Sequence, residues 1–455
     1  MKNLDPIEQK ICDNIEAHKD EIIELGRDIY YHAEPGWFEH RTAGVMSDVF
    51  KKMGMHTVDS IATTGIKGYL KPPGQTGPTV ALMGELDAVI YEGHPDANPE
   101  NGAAHICGHH GQIAAVLGAA FGLNDPDVKA ALDGNVVFLG VPCEEGASPD
   151  IISKLVSEGK IQFPSGKSEL IRIGAFDDID ITLGHHLLPE QRIVRHNGTN
   201  NGCVTKLVTF HGKACHGASP FLGIDAMSAM SIAMQALDAQ RETFREADGV
   251  RIHGFIVENG KAANVVAERV VLNYIVRAAS NEALQDASAK FDRAMRAGAV
   301  AMGCGLTIQT DCKTMNNLSY TLDQCRCIDE TLAQIDEYPT AHLPATNHRY
   351  GSNDFGDVQH IMPAMRFTTG GVKNDLHTKD MQMEDEYLAY VMAAKVFALS
   401  AYKLLKNKAE YAKVVIDTWN PEMTKESYTA FCQNLSTTEE MPMQPLPTLA
   451  KSIIG

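Results

Sequence analysis

Thr-Val-Ala-Leu-Met-Gly-Glu-Leu-Asp-Ala (79–88) is a short apolar run that ends in two carboxylates, Glu85 and Asp87. A second run, Asn135–Val141, ends in Pro-Cys-Glu-Glu-Gly (142–146), which carries Glu144 and Glu145. A third, Ile179–Leu183, leads into Gly-His-His, with His185 and His186. Between the first two runs, the stretch from about Gly108 to Gly122 is rich in Ala and Leu and predicts a helix. Upstream, residues 6–29 read as one amphipathic helix, with Ile11, Ile15, Ile22 and Ile23 at roughly helical spacing, and a second helix is expected to begin near Thr42. Strands that alternate with helices and carry polar chemistry at their ends describe an open α/β sheet. Its site then lies beyond the carboxyl edge of the strands.

The rhythm changes between about Cys203 and Asn316. Val204–Phe210 reads as a strand, Asp225–Phe244 as a long helix, and Val250–Val257 and Ala267–Arg277 as two strands. Asn281–Met302 reads as a helix and Leu306–Asp311 as a last strand. That order, β-α-β-β-α-β, is the ferredoxin-like arrangement and can close on its own core. The expected architecture is therefore a discontinuous α/β domain, residues 1–198 and 317–455, with a mixed central sheet flanked by helices. Residues 199–316 are an inserted ferredoxin-like α+β domain. The polar, Met- and Pro-rich tail after about Lys406 belongs to the second segment of the larger domain.

At 455 residues the chain is long enough for two cores, and 44% hydrophobic with 22% charged residues is a globular composition. A formal charge of −18 and the lack of a basic patch argue against a nucleic-acid partner. The first residues, Met-Lys-Asn-Leu-Asp-Pro-Ile-Glu, have no apolar signal core, and no apolar run is read as long enough to span a membrane. The ten cysteines have no framework spacing, which fits a reducing cytoplasm better than a disulfide scaffold.

Metal-ligand residue types recur at separated places. Cys107 and His109 sit one residue apart in Ala-His-Ile-Cys-Gly-His-His, in a Gly-containing turn at a helix start. Glu144-Glu145 follow a strand, His185-His186 another, and His377 lies in Asn-Asp-Leu-His-Thr. Thiolate, imidazole and carboxylate together are what a borderline-soft divalent metal uses. Adjacent glutamates suit a division in which one binds metal and its neighbour moves protons. Each pair alone is an ordinary occurrence; their joint arrival at one sheet edge is what points to a metal-dependent amide hydrolase. Cys325-X-Cys327 is read as structural, because residues two apart on a helix face different ways. His94 and His105 flank a loop that could line the site or face solvent. No Gly-X-Ser-X-Gly elbow, dinucleotide fingerprint or Walker loop is present.

The ordered series of motifs resembles the co-catalytic metallopeptidase and amidohydrolase family. That family contains aminoacylases, glutamate carboxypeptidase, hippurate hydrolase, indole-acetyl-amino-acid hydrolases and aminobenzoyl-glutamate hydrolases. The resemblance runs through His-Ala-Glu-Pro-Gly-Trp-Phe-Glu-His-Arg-Thr-Ala (32–43), Gly-Glu-Leu-Asp-Ala (84–88), Ala-His-Ile-Cys-Gly-His (104–109) and Pro-Cys-Glu-Glu-Gly (142–146). It continues in Gly-Lys-Ala-Cys-His-Gly-Ala-Ser-Pro (212–220), Gly-Ser-Asn-Asp-Phe-Gly-Asp-Val (351–358) and His-Thr (377–378). The Cys-Gly-His element marks the amidohydrolase branch.

The resemblance implies two divalent ions, Mn²⁺ or Zn²⁺, that acidify a water. Cys107, His109, Glu145, His186 and His377 would be the ligands, with Cys107 shared, and Glu144 the general acid/base. It favours His186 over His185, makes Asp87 an outer carboxylate that orients a ligand, and makes the inserted domain a dimerisation lid. His216 would reach a partner subunit's site to stabilise the oxyanion, and Asn264 and Arg277 would hold substrate. The substrate class is an N-acyl or N-aroyl amino acid or a dipeptide-like amide, with aminobenzoyl-glutamate and β-alanyl dipeptides as variants. A non-catalytic metal-binding relative is the remaining alternative. Glu85 departs from the family's usual Asp, His110 and Gln112 stand where Asp and His are common, and Asn353 replaces a common Thr. His110, next to His109 in sequence, is expected to lie beside the metals.

Overall fold

The computed structural model describes residues 1–445 and divides into two units. One comprises Met1–Gly198, Leu318–His348 and Asp357–Glu426; the other comprises Thr199–Asn317, Arg349–Gly356 and the described residues from Ser427. The end of the predicted tail, residues 446–455, lies outside the described residues.

The first unit is built on eight strands: β1 (His56–Ile61), β2 (Gly65–Tyr69), β3 (Thr79–Glu85), β4 (Asn135–Val141), β5 (Ile181–Leu187), β6 (Ile193–His196), β7 (Thr340–His342) and β8 (Ala364–Thr369). Their order across the sheet is β1-β2-β4-β3-β5-β8-β6-β7. β3 lies between β4 and β5 and runs parallel to both. Glu85 pairs with Val141 and Met83 with Gly184, so Asp87, the Cys143–Glu145 turn and His186 arrive at one edge. β4 is buried along its whole length. A parallel strand covered on both faces is apolar throughout rather than alternating, which is why these runs stand out in the sequence.

Helix His109–Leu123 crosses the sheet and is buried on nearly every side. Its small residues allow close approach: a Cβ at Gly118 would lie 2.6 Å from the Cβ of Ala394. Ala394 belongs to Tyr387–Leu405, a 19-residue helical stretch that is long and apolar enough to cross a membrane. This corrects the sequence reading, which finds no such run. Residues 388–405 of it are buried in the first unit, where the stretch serves as a core helix. The amphipathic stretch 6–29 is also two helices, Pro6–Ala17 and Lys19–Tyr31. The break falls at His18, whose ring bonds the Asn14 carbonyl (2.9 Å) and stacks on Phe121.

The second unit holds a five-stranded antiparallel sheet in the order Arg251–Asn259, Arg269–Ala278, Gly202–His211, Gly305–Thr314, Thr437–Met441. The first four strands, with helices Ala226–Gln240 and Asn281–Met302 packed against them, have the ferredoxin-like order. The fifth strand comes from the C-terminal region, where Leu306 pairs with Met441 and Arg296 forks onto Glu439. Thr437–Met441 therefore belongs with the smaller sheet rather than with the larger domain to which the sequence reading gives residues 317–455. Thr-Thr-Glu-Glu-Met is too polar to announce itself as a strand; an open sheet edge recruits it.

Candidate metal centre

Gly108 opens helix His109–Leu123 in the left-handed region, with φ of 88°. A Cβ there would also lie 2.8 Å from Leu187 Cβ, so only glycine lets this turn pack against the end of β5. Cys107 and His109, on either side of it, are thereby brought to His186. His109 Nδ1 faces two acceptors, the Asp87 carbonyl at 2.9 Å and Asp87 Oδ1 at 3.2 Å. A carbonyl cannot donate, so Nδ1 carries a proton, and the neutral ring that a metal would bind has its lone pair on Nε2. That Nε2 is buried and makes no hydrogen bond. His186 repeats the pattern: Nδ1 donates to the Leu187 carbonyl at 2.7 Å, and Nε2 lies 3.4 Å from Cys107 Sγ. An imidazole pinned at one nitrogen by oxygen and aiming the other into a cluster is the arrangement of a metal ligand.

His185, one residue away on β5, points to the opposite face. It bonds Thr369 Oγ1 at 2.7 Å and packs against Phe367 and Phe397. Of the two histidines, the strand delivers His186 to the cluster and His185 to the core.

The turn after β4 brings the carboxylates. Cys143 has φ of 44°, a strained value for a residue with a side chain. Two buried acids hold it there: the Cys143 N–H donates to Glu39 Oε1 at 2.8 Å, and the Glu145 N–H donates to Asp87 Oδ2 at 2.9 Å. Thr64 Oγ1 donates to the other Glu39 oxygen at 2.5 Å. Asp87 thus fastens His109 and Glu145 at once. His377, also at positive φ (60°), donates its backbone N–H to the Ile106 carbonyl at 2.9 Å and brings Nε2 to 3.2 Å from Glu145 Oε1.

The donor atoms form overlapping sets within 4.8 Å of one another: Cys107 with His109 and His186, and Cys107 with Glu145 and His377. Glu85, His109 and Glu144 form a third. The charge inventory suits cations. His109 Nε2 has carboxylate oxygens of Glu85, Glu144 and Glu145 at 3.0, 3.9 and 3.9 Å. Burial, with the nearby Glu145 charge, pushes the Cys107 thiol well up, so a thiolate here needs a positive charge. Burial alone would raise Glu145 too, but His377 and His109 outweigh it and hold the carboxyl down at about 2. Donor chemistry, pinned tautomers and negative charge all fit divalent metal.

His110 does not lie beside these donors, contrary to the sequence expectation. One helical step turns it away, and its buried ring sits among Tyr30, His105 and Tyr390 with Nε2 3.2 Å from Met383 Sδ. His94 ties its loop down through the Met381 carbonyl at 2.9 Å, and His105 is buried. Cys325 and Cys327 are buried, and neither is in a donor group among the described residues. His216, Asn264 and Arg277 are all in the second unit. There His216 is exposed and bridges backbone with Val265, and Arg277 lies on strand Arg269–Ala278.

Two participants escape sequence reasoning. Glu39 reads as one acid among many before a helix. Lys167 reads as a surface lysine in Gly-Lys-Ser-Glu-Leu, yet its side chain is fully buried with Nζ 2.5 Å from Glu85 Oε1. No local pattern signals Lys167, and Glu39 enters the sequence reading only as one residue of the 32–43 motif.

Residues 199–302 match the family description of a peptidase dimerisation domain. The chain is 24% identical to mouse (Mus musculus) Xaa-Arg dipeptidase over 379 residues, 80% of this chain and 79% of that protein. It is 27% identical to a p-aminobenzoyl-glutamate hydrolase polypeptide of Escherichia coli over 310 residues, 66% of this chain and 58% of that one. In fold it is similar to a Bacillus subtilis protein described as a dinuclear metal binding peptidase from the M20 family. The TM-score is 0.65 at 21% identity, covering 86% of this chain and 99% of that one.

Proposed function

We propose that this chain, which belongs to the M20 family of peptidases and amidohydrolases, hydrolyses the amide bond of an N-acyl or N-aroyl amino acid or of a dipeptide-like substrate. The observation that carries this reading is the convergence of Cys107 with His109 and His186, and of Cys107 with Glu145 and His377. In it, Cys107 with His109 and His186 would hold one divalent ion, and Cys107 with Glu145 and His377 would hold a second. Mn²⁺ and Zn²⁺ both suit these donors, the thiolate favouring Zn²⁺. Bound metal would supply Lewis-acid charge and an acidified water.

The chain's own groups do the rest. Glu144, next to a ligand but assigned to neither ion, accepts the proton of the attacking water and returns it to the leaving nitrogen. Asp87 holds His109 and the backbone of Glu145 in place. His216 stabilises the oxyanion from a partner subunit, and Asn264 and Arg277 hold the substrate's backbone or carboxylate. A homodimer is supported by the edge strand Arg251–Asn259, open on one side among the described residues, which exposes Phe255 (61%) and Val257 (54%). All ten cysteines are free thiols, which supports a cytoplasmic setting.

The matched relatives favour two substrate variants, dipeptides and aminobenzoyl-glutamate-type amides. A screen of N-acyl amino acids, dipeptides and aminobenzoyl-glutamate, run on chelated protein with Mn²⁺ or Zn²⁺ restored, tests the reading. Metal-dependent release of an amino acid from any one class supports it. Two bound ions with no hydrolysis across the panel would favour a non-catalytic metal-binding relative.

A further inference from the structure

Glu85 ends β3 within ligating reach of the cluster. Its Oε2 is 3.0 Å from His109 Nε2, and with His109 and Glu144 it forms a donor group. By position it would be one more protein ligand. Both of its oxygens are nevertheless engaged elsewhere. Oε1 accepts from Lys167 Nζ at 2.5 Å and Oε2 accepts from Gln112 Nε2 at 2.7 Å. Gln112 returns its own oxygen to the Glu85 N–H at 3.1 Å, so the amide grips the residue at two points. The Lys167 side chain is 0% exposed and that of Glu85 10%. An ammonium so buried is kept there by an anion, and the pair holds each member against other partners.

We propose that Lys167 and Gln112 are positioning residues that withhold Glu85 from the metal ions, leaving five protein ligands and an open coordination position. The inference rests on the two-ion reading above. A catalytic metal site needs such a position for water and substrate, whereas a closed sphere is structural. Glu85 then serves as a fixed negative charge beside the metals. Without Lys167 it would be a buried carboxylate lacking its cation, and a metal within reach would draw it in.

The test uses the cobalt(II)-substituted full-length protein, whose visible absorption weakens as coordination number rises. Lys167→Met should bind both ions, absorb more weakly per cobalt, and retain metal against a chelator about 10–100-fold better, the range seen when outer partners of a metal site change. The double variant Glu85→Gln/Lys167→Met, which removes both charges, should return to the wild-type spectrum and retention. A Lys167→Met protein with two ions and an unchanged spectrum overturns the proposal, as does loss of an ion from the double variant. If Lys167→Met fails to fold, the double variant decides alone, because it removes the Lys167–Glu85 pair together. Wild-type protein that takes up no cobalt would instead overturn the two-ion reading, and this inference with it.

Discussion

Asp87→Ala should loosen the metal centre without touching a ligand. Asp87 is fully buried and makes two side-chain contacts, to the Glu145 N–H at 2.9 Å and to His109 Nδ1 at 3.2 Å. Alanine leaves the Asp87 carbonyl on Nδ1, so His109 keeps one anchor at 2.9 Å and its tautomer. The Glu145 N–H, however, loses its acceptor in a buried turn, at a cost of about 1–3 kcal/mol. If that cost falls on the metal-bound conformation, affinity drops about 5–150-fold, since 1.4 kcal/mol is tenfold. That span overlaps the range for lost outer partners of metal ligands. Asp87→Asn should fall between, because its amide oxygen can serve Glu145 but its NH₂ then faces the His109 donor. Competition against a chromophoric chelator reads both ions, with circular dichroism as the folding control. Wild-type affinity in Asp87→Ala, together with a collapsed kcat, would refute the reasoning and move Asp87 from positioning into chemistry.

Glu144→Gln should lower kcat by roughly 10²–10⁴ with metal content unchanged, as expected for a proton carrier; emptied sites in this variant would reverse the roles of the two glutamates. Chelation should abolish hydrolysis and Mn²⁺ or Zn²⁺ restore it, and Cys107→Ser should release metal far more readily than Cys325→Ser or Cys327→Ser, checked by metal analysis after dialysis. Mixing inactive His216→Ala with inactive Glu144→Ala protein should recover activity through heterodimers with one intact site; no recovery despite proven subunit exchange would confine His216 to its own chain or to no role. Burial, reinforced by Asp87, pushes Glu39 from 4.5 up to about 8. The folded state then binds more protons than the unfolded one between those values, so stability falls as pH rises through that window. Glu39→Gln should flatten the fall, read as urea midpoints from about pH 5 to about pH 9, and parallel profiles for the two proteins would sink the assignment.

Much of the candidate site was legible because its chemistry sits where local patterns end. The runs 80–84 and 136–141 are apolar throughout, being buried on both faces of the sheet where strands run parallel, and the next residues must lie at the carboxyl edge. What could not be read was anything set by the direction of one side chain. His185 and His186 are chemically identical neighbours, and only the pleat of β5 sends one to Phe367 and the other to Cys107. His110 looked like a neighbour of the metals because it follows His109, yet the helix turns it towards Tyr30 and Tyr390.

The sequence by itself determined the alternation of strands and helices, the inserted β-α-β-β-α-β unit and the donor types. All of these arise from periodicity and composition within a few tens of residues. Tertiary structure alone decided that Lys167 faces Glu85 across 82 positions of chain, that Glu39 holds the Cys143 backbone across 104, and that Thr437–Met441 joins the smaller sheet. A lysine, a glutamate and a polar pentapeptide carry no local mark of burial. Their roles come from desolvated partners brought together from distant segments, and a buried charge is tolerated only where the fold has already supplied its counterpart.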